Sequence, residues 1–245
     1  MRLSDRMSAV AAMVTAGGVL ADVGTDHGHV PIALVERGIV PRAIAMDLRE
    51  GPLAQAKKNI AMCGLANKIE TRLSDGVEAL APGETDSIVI AGMGGELVVH
   101  ILSNGRDVCR SVKELILQPQ SELDKVRKYL RENEYDIQRE DMICEDGKYY
   151  PMMKVVPGEG MNDGLEHQQV ISELGIPVCD RYGVDLLWRR NTILLEFLYK
   201  EQDQLERIEA GLKRQPRSEG ILSRLVEVEQ KIRDNARARG YIERE

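Results

Sequence analysis

Short apolar runs alternate with segments of helical spacing between residues 19 and 157. The runs at 19–23, 43–47, 69–73, 87–91 and 115–117 are rich in Val, Ile, Leu and Ala and have the length of strands. The segments between them repeat apolar residues every three or four positions, at 30–36, 52–62, 96–102 and 121–131. This alternation predicts an α/β fold with a mostly parallel sheet, helices on its faces and right-handed crossovers.

Two further features complete this predicted domain. A helix is expected from Leu3 to Val14, capped by Ser4 and ended by Gly17-Gly18. The apolar segments 137–144 and 149–156 flank Asp146-Gly147, which is a strong hairpin signal. We therefore expect an antiparallel hairpin that closes the sheet.

The pattern changes at residues 157–160, Pro-Gly-Glu-Gly, after which strand-like runs disappear. We expect domains at 1–158 and 159–245. Two later helices share an apolar seam with a charged residue, Glu201, at one skipped position; the seam is formed by Leu194, Leu198, Leu205, Ile208 and Leu212, then Ile221, Leu225, Val228 and Ile232. Pro216 between them predicts an antiparallel coiled-coil hairpin. It either completes the fold or grips a large substrate, and the pattern alone favours the first.

Composition narrows the class of protein. Hydrophobic residues make up 43% of the chain and charged residues 30%, which is typical of a globular protein. The apolar stretches are too short to span a bilayer, and the charged N-terminus is unlike a secretory signal, so we expect a cytoplasmic protein without membrane association. The cysteines do not occur in Cys-x-x-Cys pairs, which argues against a zinc ribbon or a redox pair.

The net charge is −7, which disfavours nucleic-acid binding by bulk electrostatics. A nucleic-acid site would need a local basic face. The C-terminal helices offer basic clusters for one, at Arg189-Arg190, at Lys213-Arg214 with Arg217, and at Arg233, Arg237 and Arg239. Such clusters are also common on solvated helix faces.

The turn after the first strand, residues 22–28, carries the strongest chemical signal. It has the form Asp-x-Gly-x-x-x-Gly, with Gly24 and Gly28 allowing a tight turn and close approach of a ligand. A dinucleotide fingerprint would be Gly-x-Gly-x-x-Gly, and the carboxylate of Asp22 would repel a pyrophosphate. It would instead accept hydrogen bonds from an ammonium group, such as that of S-adenosylmethionine.

Acidic residues also end the second and third predicted strands. Asp47 stands where nucleoside-binding sheets hold the ribose hydroxyls, and Ser74-Asp75-Gly76 could meet the adenine amino group. One aspartate at a strand end is commonly a helix cap, but aspartates at three successive strand ends favour a nucleoside site.

A glycine-rich segment, residues 91–96, follows the fourth strand where class I methyltransferases place a loop over the reacting methyl group. It could equally be a turn that caps the next helix. The Asn/Asp-Pro-Pro-aromatic motif of enzymes that methylate exocyclic amino groups is absent.

Together these motifs closely resemble the TrmK family of bacterial tRNA (adenine-N1)-methyltransferases, which modify adenine 22 of the D-loop. The resemblance runs over nearly the whole chain and is carried by residues 3–6, 21–27, 51–53, 75–76, 90–95, 116–119 and 145–150. Gln120 departs from it, since Asn often continues the Leu-Gln-Pro stretch. The resemblance implies a Rossmann-like class I methyltransferase with S-adenosylmethionine as cofactor and tRNA as substrate.

The resemblance also implies residue roles. Asp26, which replaces the usual middle glycine of related methyltransferases, would lie beside the base and accept a hydrogen bond from its N6 amino group, with or without later taking a proton. The expected cofactor-binding residues are those of the strand ends, Asp22, Gly24, Thr25, His27, Gly28, Asp47, Leu48, Ser74, Asp75, Gly76, Gly92 and Met93.

Several alternatives stay open. The chain could methylate a small metabolite, or could be a nucleoside-binding module without catalysis. His27 and His29 could form a metal pair, but no third ligand has suitable spacing, so we expect no metal. Arg6, Gln118, Tyr149 and Tyr150 could line the pocket rim or lie on the surface.

Overall fold

The computed structural model describes residues 2–158 and 164–244. The chain divides into two compact units, Met1–Asn162 and Asp163–Glu245. Glu159 and Gly160, where the sequence predicts the domain boundary, lie outside the described residues. The boundary at 158/159 therefore stays a prediction.

The first unit is built on a mixed sheet, and its strands in the described residues follow the order β3-β2-β1-β4-β5-β7-β6. The strands are β1 Leu20–Val23, β2 Ala43–Asp47, β3 Ile69–Leu73, β4 Ser87–Met93, β5 Glu114–Pro119, β6 Tyr135–Glu145 and β7 Lys148–Pro157. β1 to β5 pair in parallel, and β7 pairs antiparallel with both β5 and β6. The predicted parallel sheet with a closing hairpin is confirmed.

Helices cover both faces of this sheet. They are α1 Asp5–Ala12, α2 His29–Glu36, α3 Glu50–Met62, α4 Gly95–Asn104, α5 Arg106–Ser111 and α6 Leu123–Glu132. Side chains that alternate along a strand belong to two separate cores: Ala43 and Ala45 pack with α1 and α2, while Ile44 and Met46 pack with α4 and α6. Burial on both faces explains why the strands appear as continuous apolar runs.

The boundaries differ from expectation in a few places. The N-cap of α1 is Ser4, which accepts a hydrogen bond from Met7 N at 3.3 Å, but the helix ends at Ala12, well before Gly17. The short α5 did not stand out in the sequence. β4 continues two residues beyond the expected Ala91, to Met93, so that part of the glycine-rich segment belongs to the strand.

The turn between β6 and β7 has the backbone conformation that its Asp-Gly sequence predicts. Asp146 and Gly147 both have positive φ, of 51° and 73°, which is the backbone of a type I′ turn. The turn joins β6 to β7 and sets their pairing.

The second unit is helical throughout its described residues. It contains α7 Leu165–Leu174, α8 Ile176–Tyr182, α9 Val184–Trp188, α10 Thr192–Lys213 and α11 Glu219–Ile242. Lys213 contacts Glu229, and Asn235 donates to the Leu198 carbonyl at 2.9 Å, so α10 and α11 run antiparallel. The predicted helical hairpin is confirmed, with Leu194, Leu198, Leu205 and Val228 of its seam buried.

Glu201, the charged residue in this seam, is held by side chains from neighbouring helices. It accepts hydrogen bonds from Tyr182 Oη at 2.7 Å, Asn235 Nδ2 at 2.9 Å and Arg181 at 3.3 Å. The seam is therefore interrupted by a hydrogen-bonded polar cluster. Among the described helices of the whole chain, none is long and apolar enough to cross a membrane.

Candidate active site

A cavity of about 470 Å³ lies where β1, β2, β3 and β4 end. Ligands of doubly wound sheets bind at this edge, beyond the carboxyl ends of the strands. Most of the predicted site residues line it, namely Gly24, Asp26, Asp47, Leu48, Ser74, Asp75, Gly76, Gly92 and Met93. The structure thus brings together residues from four separate strand ends.

Asp22 lies beneath this cavity, outside its lining. Its side chain is 5% exposed and accepts a hydrogen bond of 2.6 Å from Thr25 Oγ1, which is also buried. Burial raises the pKa of Asp22 to about 6; the Thr25 hydroxyl opposes that rise and the charge of Asp47 adds to it. A cationic group arriving above this carboxylate would restore its charged form.

Glycine is needed at two positions of the turn. Gly24 has φ of +71°, and a Cβ there would lie 2.3 Å from Met93 Cε. Gly28 has φ of +73° and comes directly before α2, where a Cβ would meet Ala56 at 3.3 Å. The left-handed backbone therefore favours glycine at position 24, whereas Gly28 serves helix packing and does not line the cavity.

Asp26 and His27 form the exposed crest of the turn. Asp26 has φ of +47°, in the left-handed region that Asp tolerates better than most residues, and its side chain is 69% exposed. His27 Nε2 lies 3.6 Å from its carboxylate, and the backbone carbonyl of His27 accepts from Asn59 at 2.9 Å. Asp26 lines the mouth of the cavity, whereas His27 lies outside the cavity lining.

The ends of β2 and β3 are joined by the backbone. Ser74 N donates to the Asp47 carbonyl at 3.0 Å, while the buried Asp47 carboxylate accepts from Arg49 N at 2.9 Å. The Ser74 hydroxyl bonds to Gly76 O and Ala79 N, so it shapes the turn. Asp75 is left exposed at the cavity edge.

The glycine-rich segment after β4 is held by the residues that follow β5. Gly92 N donates to Gln118 Oε1 at 3.2 Å, and Gln120 N donates to Met93 O at 2.8 Å. A Cβ on Gly95 would lie 2.4 Å from the Ser121 carbonyl oxygen. The segment lines the cavity and begins α4, with Gly94 at its N-cap, so the helix-start alternative is confirmed and the position over a reacting methyl group stays a prediction.

Comparison with known proteins identifies the family to which the chain belongs. The model of a family described as "Methyltransferase domain" matches residues 3–153. The chain belongs to this family of methyltransferases.

Relatives of this methyltransferase have named activities. A Bacillus subtilis protein named tRNA (adenine(22)-N(1))-methyltransferase is 37% identical over 159 residues, which cover 65% of this chain and 67% of the relative. The crystal structure of B. subtilis TrmK, described as an m1A22 tRNA methyltransferase, is 28% identical with a TM-score of 0.86, over 97% of this chain and 99% of that one.

A third comparison includes a ligand. The structure of Streptococcus pneumoniae Sp1610, a candidate tRNA (m1A22) methyltransferase in complex with S-adenosyl-L-methionine, is 31% identical with a TM-score of 0.82. The match covers 97% of this methyltransferase and 100% of that chain.

The structure shows which of the four residues that could line the pocket rim do so. Arg6 lines the cavity, whereas Gln118 is fully buried behind it. Tyr149 and Tyr150 are half-buried outside the lining, and the Arg6 guanidinium lies 5.1 Å from the Tyr150 ring centroid.

Other lining residues of this methyltransferase were missed. They are Met7, Val23, Arg49, Ala91, Leu97, Ile101 and Gln120. Most of these residues are apolar or stand alone in the sequence, so nothing in the sequence marks them as site residues. Gln120 is the exception, because its position directly after β5 could have indicated that it lines the site. His27 and His29 stack with ring centroids 5.3 Å apart, and the described residues contain no group of three side chains suited to a metal.

Proposed function

We propose that this methyltransferase transfers a methyl group from S-adenosylmethionine to N1 of adenine 22 in tRNA. The observation that carries the proposal is an exposed carboxylate, Asp26, at the mouth of a cavity that the strand-end residues Asp47 and Asp75 also line. The named relatives support the substrate and the position of the base.

The strand-end residues fit the cofactor. Asp22, buried outside the cavity lining, would attract its ammonium group by charge, while the lining residues Asp47 and Asp75 would hold its ribose hydroxyls and its adenine. When bound, S-adenosylmethionine supplies the sulfonium methyl group. The chain's task is to hold the cofactor and the base in line.

Asp26 is the candidate catalytic residue. Adenine N1 has a free lone pair, so the base needs no prior deprotonation. Positive charge develops on the ring during methylation and spreads to N6, where the exposed Asp26 carboxylate can accept a hydrogen bond and stabilise it. Since N1 lies on the pairing edge, the adenine must come from an unpaired or extruded position.

We also propose that residues 159–245 form an arm that binds tRNA through a local basic face. Some of the basic side chains are used within the unit: Arg189 pairs with Asp185 at 2.7 Å, and Arg237 donates to the Glu173 carbonyl at 3.0 Å. Arg214 and Arg217 at the hairpin tip are exposed, as is Lys213, which also pairs with Glu209 at 2.7 Å, and we assign the RNA contact to these three residues. We expect an enzyme with this substrate to act in the cytoplasm.

Incubation of unmodified tRNA with the enzyme and S-adenosylmethionine, followed by mass spectrometry of nuclease fragments, tests the proposal. We expect 1-methyladenosine in the fragment that contains position 22. Methylation at another base, or of free nucleosides and small metabolites in preference to tRNA, would contradict it.

A further inference from the structure

Trp188 is the single tryptophan of the chain, and 38% of it is exposed at the end of α9. The two residues before it, Leu186 and Leu187, are buried, so α9 packs its apolar residues inward and leaves the indole at the surface. One exposed apolar residue is common on a protein surface. What distinguishes Trp188 is the way in which its ring is held.

The indole ring contacts two side chains that meet at one buried carboxylate. Asp185, which is 2% exposed, accepts a hydrogen bond from Arg189 Nε at 2.7 Å, and His167 Nε2 lies 3.5 Å from the same oxygen. The Arg189 guanidinium lies over the indole, with Cζ 5.3 Å from the ring centroid, and the His167 ring meets the indole at 80° with centroids 5.6 Å apart. Trp188 is thus oriented before a ligand arrives, which lowers the entropy cost of binding to it.

The surface next to this ring is basic. Arg190 follows Arg189 and donates to the backbone carbonyl of Arg244, which brings the chain after α11 beside α9. The Arg244 guanidinium pairs with Glu173, and Arg237 donates to the Glu173 carbonyl at 3.0 Å. These contacts gather four guanidinium groups around one carboxylate at the surface, because the carboxylate that holds Arg189 is buried.

An exposed aromatic ring beside guanidinium groups is suited to an unpaired nucleotide. Every base has a π face that can stack on an indole, and the phosphate next to it carries the charge that guanidinium groups bind. A double helix keeps its bases stacked on one another and offers mainly its backbone. The ring therefore favours a single-stranded segment of RNA over a ligand that supplies negative charge alone.

We propose that Trp188 stacks on an unpaired base of the tRNA, while Arg190 and Arg244 face the phosphates beside that base. The inference rests on tRNA as the proposed substrate and adds a second contact on the helical unit. This contact differs in chemistry from the hairpin tip, because residues 209–218 contain basic side chains and no aromatic one.

Fluorescence provides a direct test, since the signal of a single tryptophan reports on this site alone. Stacking on a base quenches indole fluorescence and shields the ring from acrylamide. We expect an unmodified tRNA transcript to produce both effects in the full-length protein. A blunt RNA duplex should produce neither, even at concentrations at which it binds, because its bases are not available for stacking.

Variants of the same residue test its contribution to affinity. Trp188→Ala should weaken tRNA binding by about ten-fold, as for loss of one stacked base, and Trp188→Phe should keep the affinity within about three-fold, because a smaller ring still stacks. The salt dependence of binding should match that of wild type, since no phosphate contact is removed. An unchanged circular dichroism spectrum and thermal transition would show that both variants fold.

Leu222→Ala is the matched control. Leu222 is an apolar residue of α11 that is 48% exposed, so this variant also truncates an apolar side chain at the surface of the helical unit. It should leave the affinity for tRNA within about two-fold of wild type.

Wild-type affinity of Trp188→Ala for tRNA would overturn the proposal, and so would equal quenching by the tRNA and the duplex. Self-association of the wild-type protein that Trp188→Ala abolishes, with tRNA binding unchanged, would show instead that the ring contacts a second copy of the chain. Quenching by tRNA in a wild-type protein that fails to methylate adenine 22 would count against the proposed function alone.

Discussion

Asp22 and Asp26 stand four positions apart in one turn and have opposite environments. Asp22 is buried under the turn and bonded to Thr25, whereas Asp26 is exposed at the crest. Both could be singled out from the sequence, because one ends an apolar strand and the other replaces a glycine. Their burial could not be, since it depends on how Thr25 and Met93 pack around the turn.

The raised pKa of Asp22 predicts a specific pH dependence of stability in the cofactor-free protein. Between its ordinary pKa of 3.8 and about 6, the folded protein keeps the proton that the unfolded chain has lost. The free energy of unfolding therefore falls as pH rises through this window, by about 3 kcal/mol from this residue. Asp22→Asn should remove this contribution, so urea denaturation at pH 4 and pH 7 should show the variant gaining stability relative to wild type as pH rises. An equal difference at both pH values would contradict the account.

Asp26 offers a test of charge without a change of backbone. Asn tolerates the left-handed conformation of this residue, so Asp26→Asn should fold normally, whereas Asp26→Ala adds strain of about 1 kcal/mol. We expect both variants to bind the cofactor within a few-fold of wild type and to lose methyl transfer by about a hundred-fold. Single-turnover rates and cofactor titration measure the two effects, and a wild-type rate in Asp26→Asn would exclude the role.

Helices and strands could be predicted from the sequence where their burial imposes a regular spacing of apolar residues. The parallel strands appear as apolar runs because both of their faces are covered, and the Asp146-Gly147 turn has a strong local preference. The short helices α5, α8 and α9 lack this periodicity, because each has fewer than eight residues and is held by tertiary contacts. The two extra residues of β4 also depend on partners, since its end pairs with Pro119 across an irregular register.

The segment between β4 and α4 gives a prediction at this scale. A Cβ on Gly95 would collide with two backbone oxygens, of Ser121 at 2.4 Å and Glu122 at 2.8 Å, which cannot move as a side chain can. Gly95→Ala should lower the free energy of unfolding by about 1–3 kcal/mol in urea denaturation. Gly94→Ala is the matched control, since its nearest neighbour is the Ser121 hydroxyl at 3.3 Å, and a loss as large there would contradict the explanation.

At the scale of the whole molecule, the chain combines a methyltransferase unit with a helical unit. The seam of α10 and α11 was visible in the sequence as apolar spacing, but the roles of its charges were not. Glu201 belongs to a buried polar cluster, while the basic residues at the tip are exposed. Only the folded unit shows which basic residues bond within it, such as Arg189 and Arg237, and which are exposed, such as Arg214 and Arg217.

The hairpin tip can be tested as an RNA contact. Replacing Lys213, Arg214 and Arg217 by Gln should raise the KM for tRNA by about ten-fold and reduce the dependence of binding on salt, because phosphate contacts release counterions. Cofactor affinity should not change. Replacing Arg224 and Lys231 by Gln removes charge elsewhere on α11 and serves as the control; an equal effect there would indicate bulk charge instead of a local face.

The central claim is that the enzyme methylates N1 of adenine 22 in tRNA, and one measurement tests it most directly. Two unmodified transcripts of the same tRNA, one with adenine and one with guanine at position 22, are compared for initial rates of methyl transfer from S-adenosylmethionine. The account predicts transfer to the adenine transcript and none above background to the guanine transcript. Equal rates on the two transcripts would contradict it.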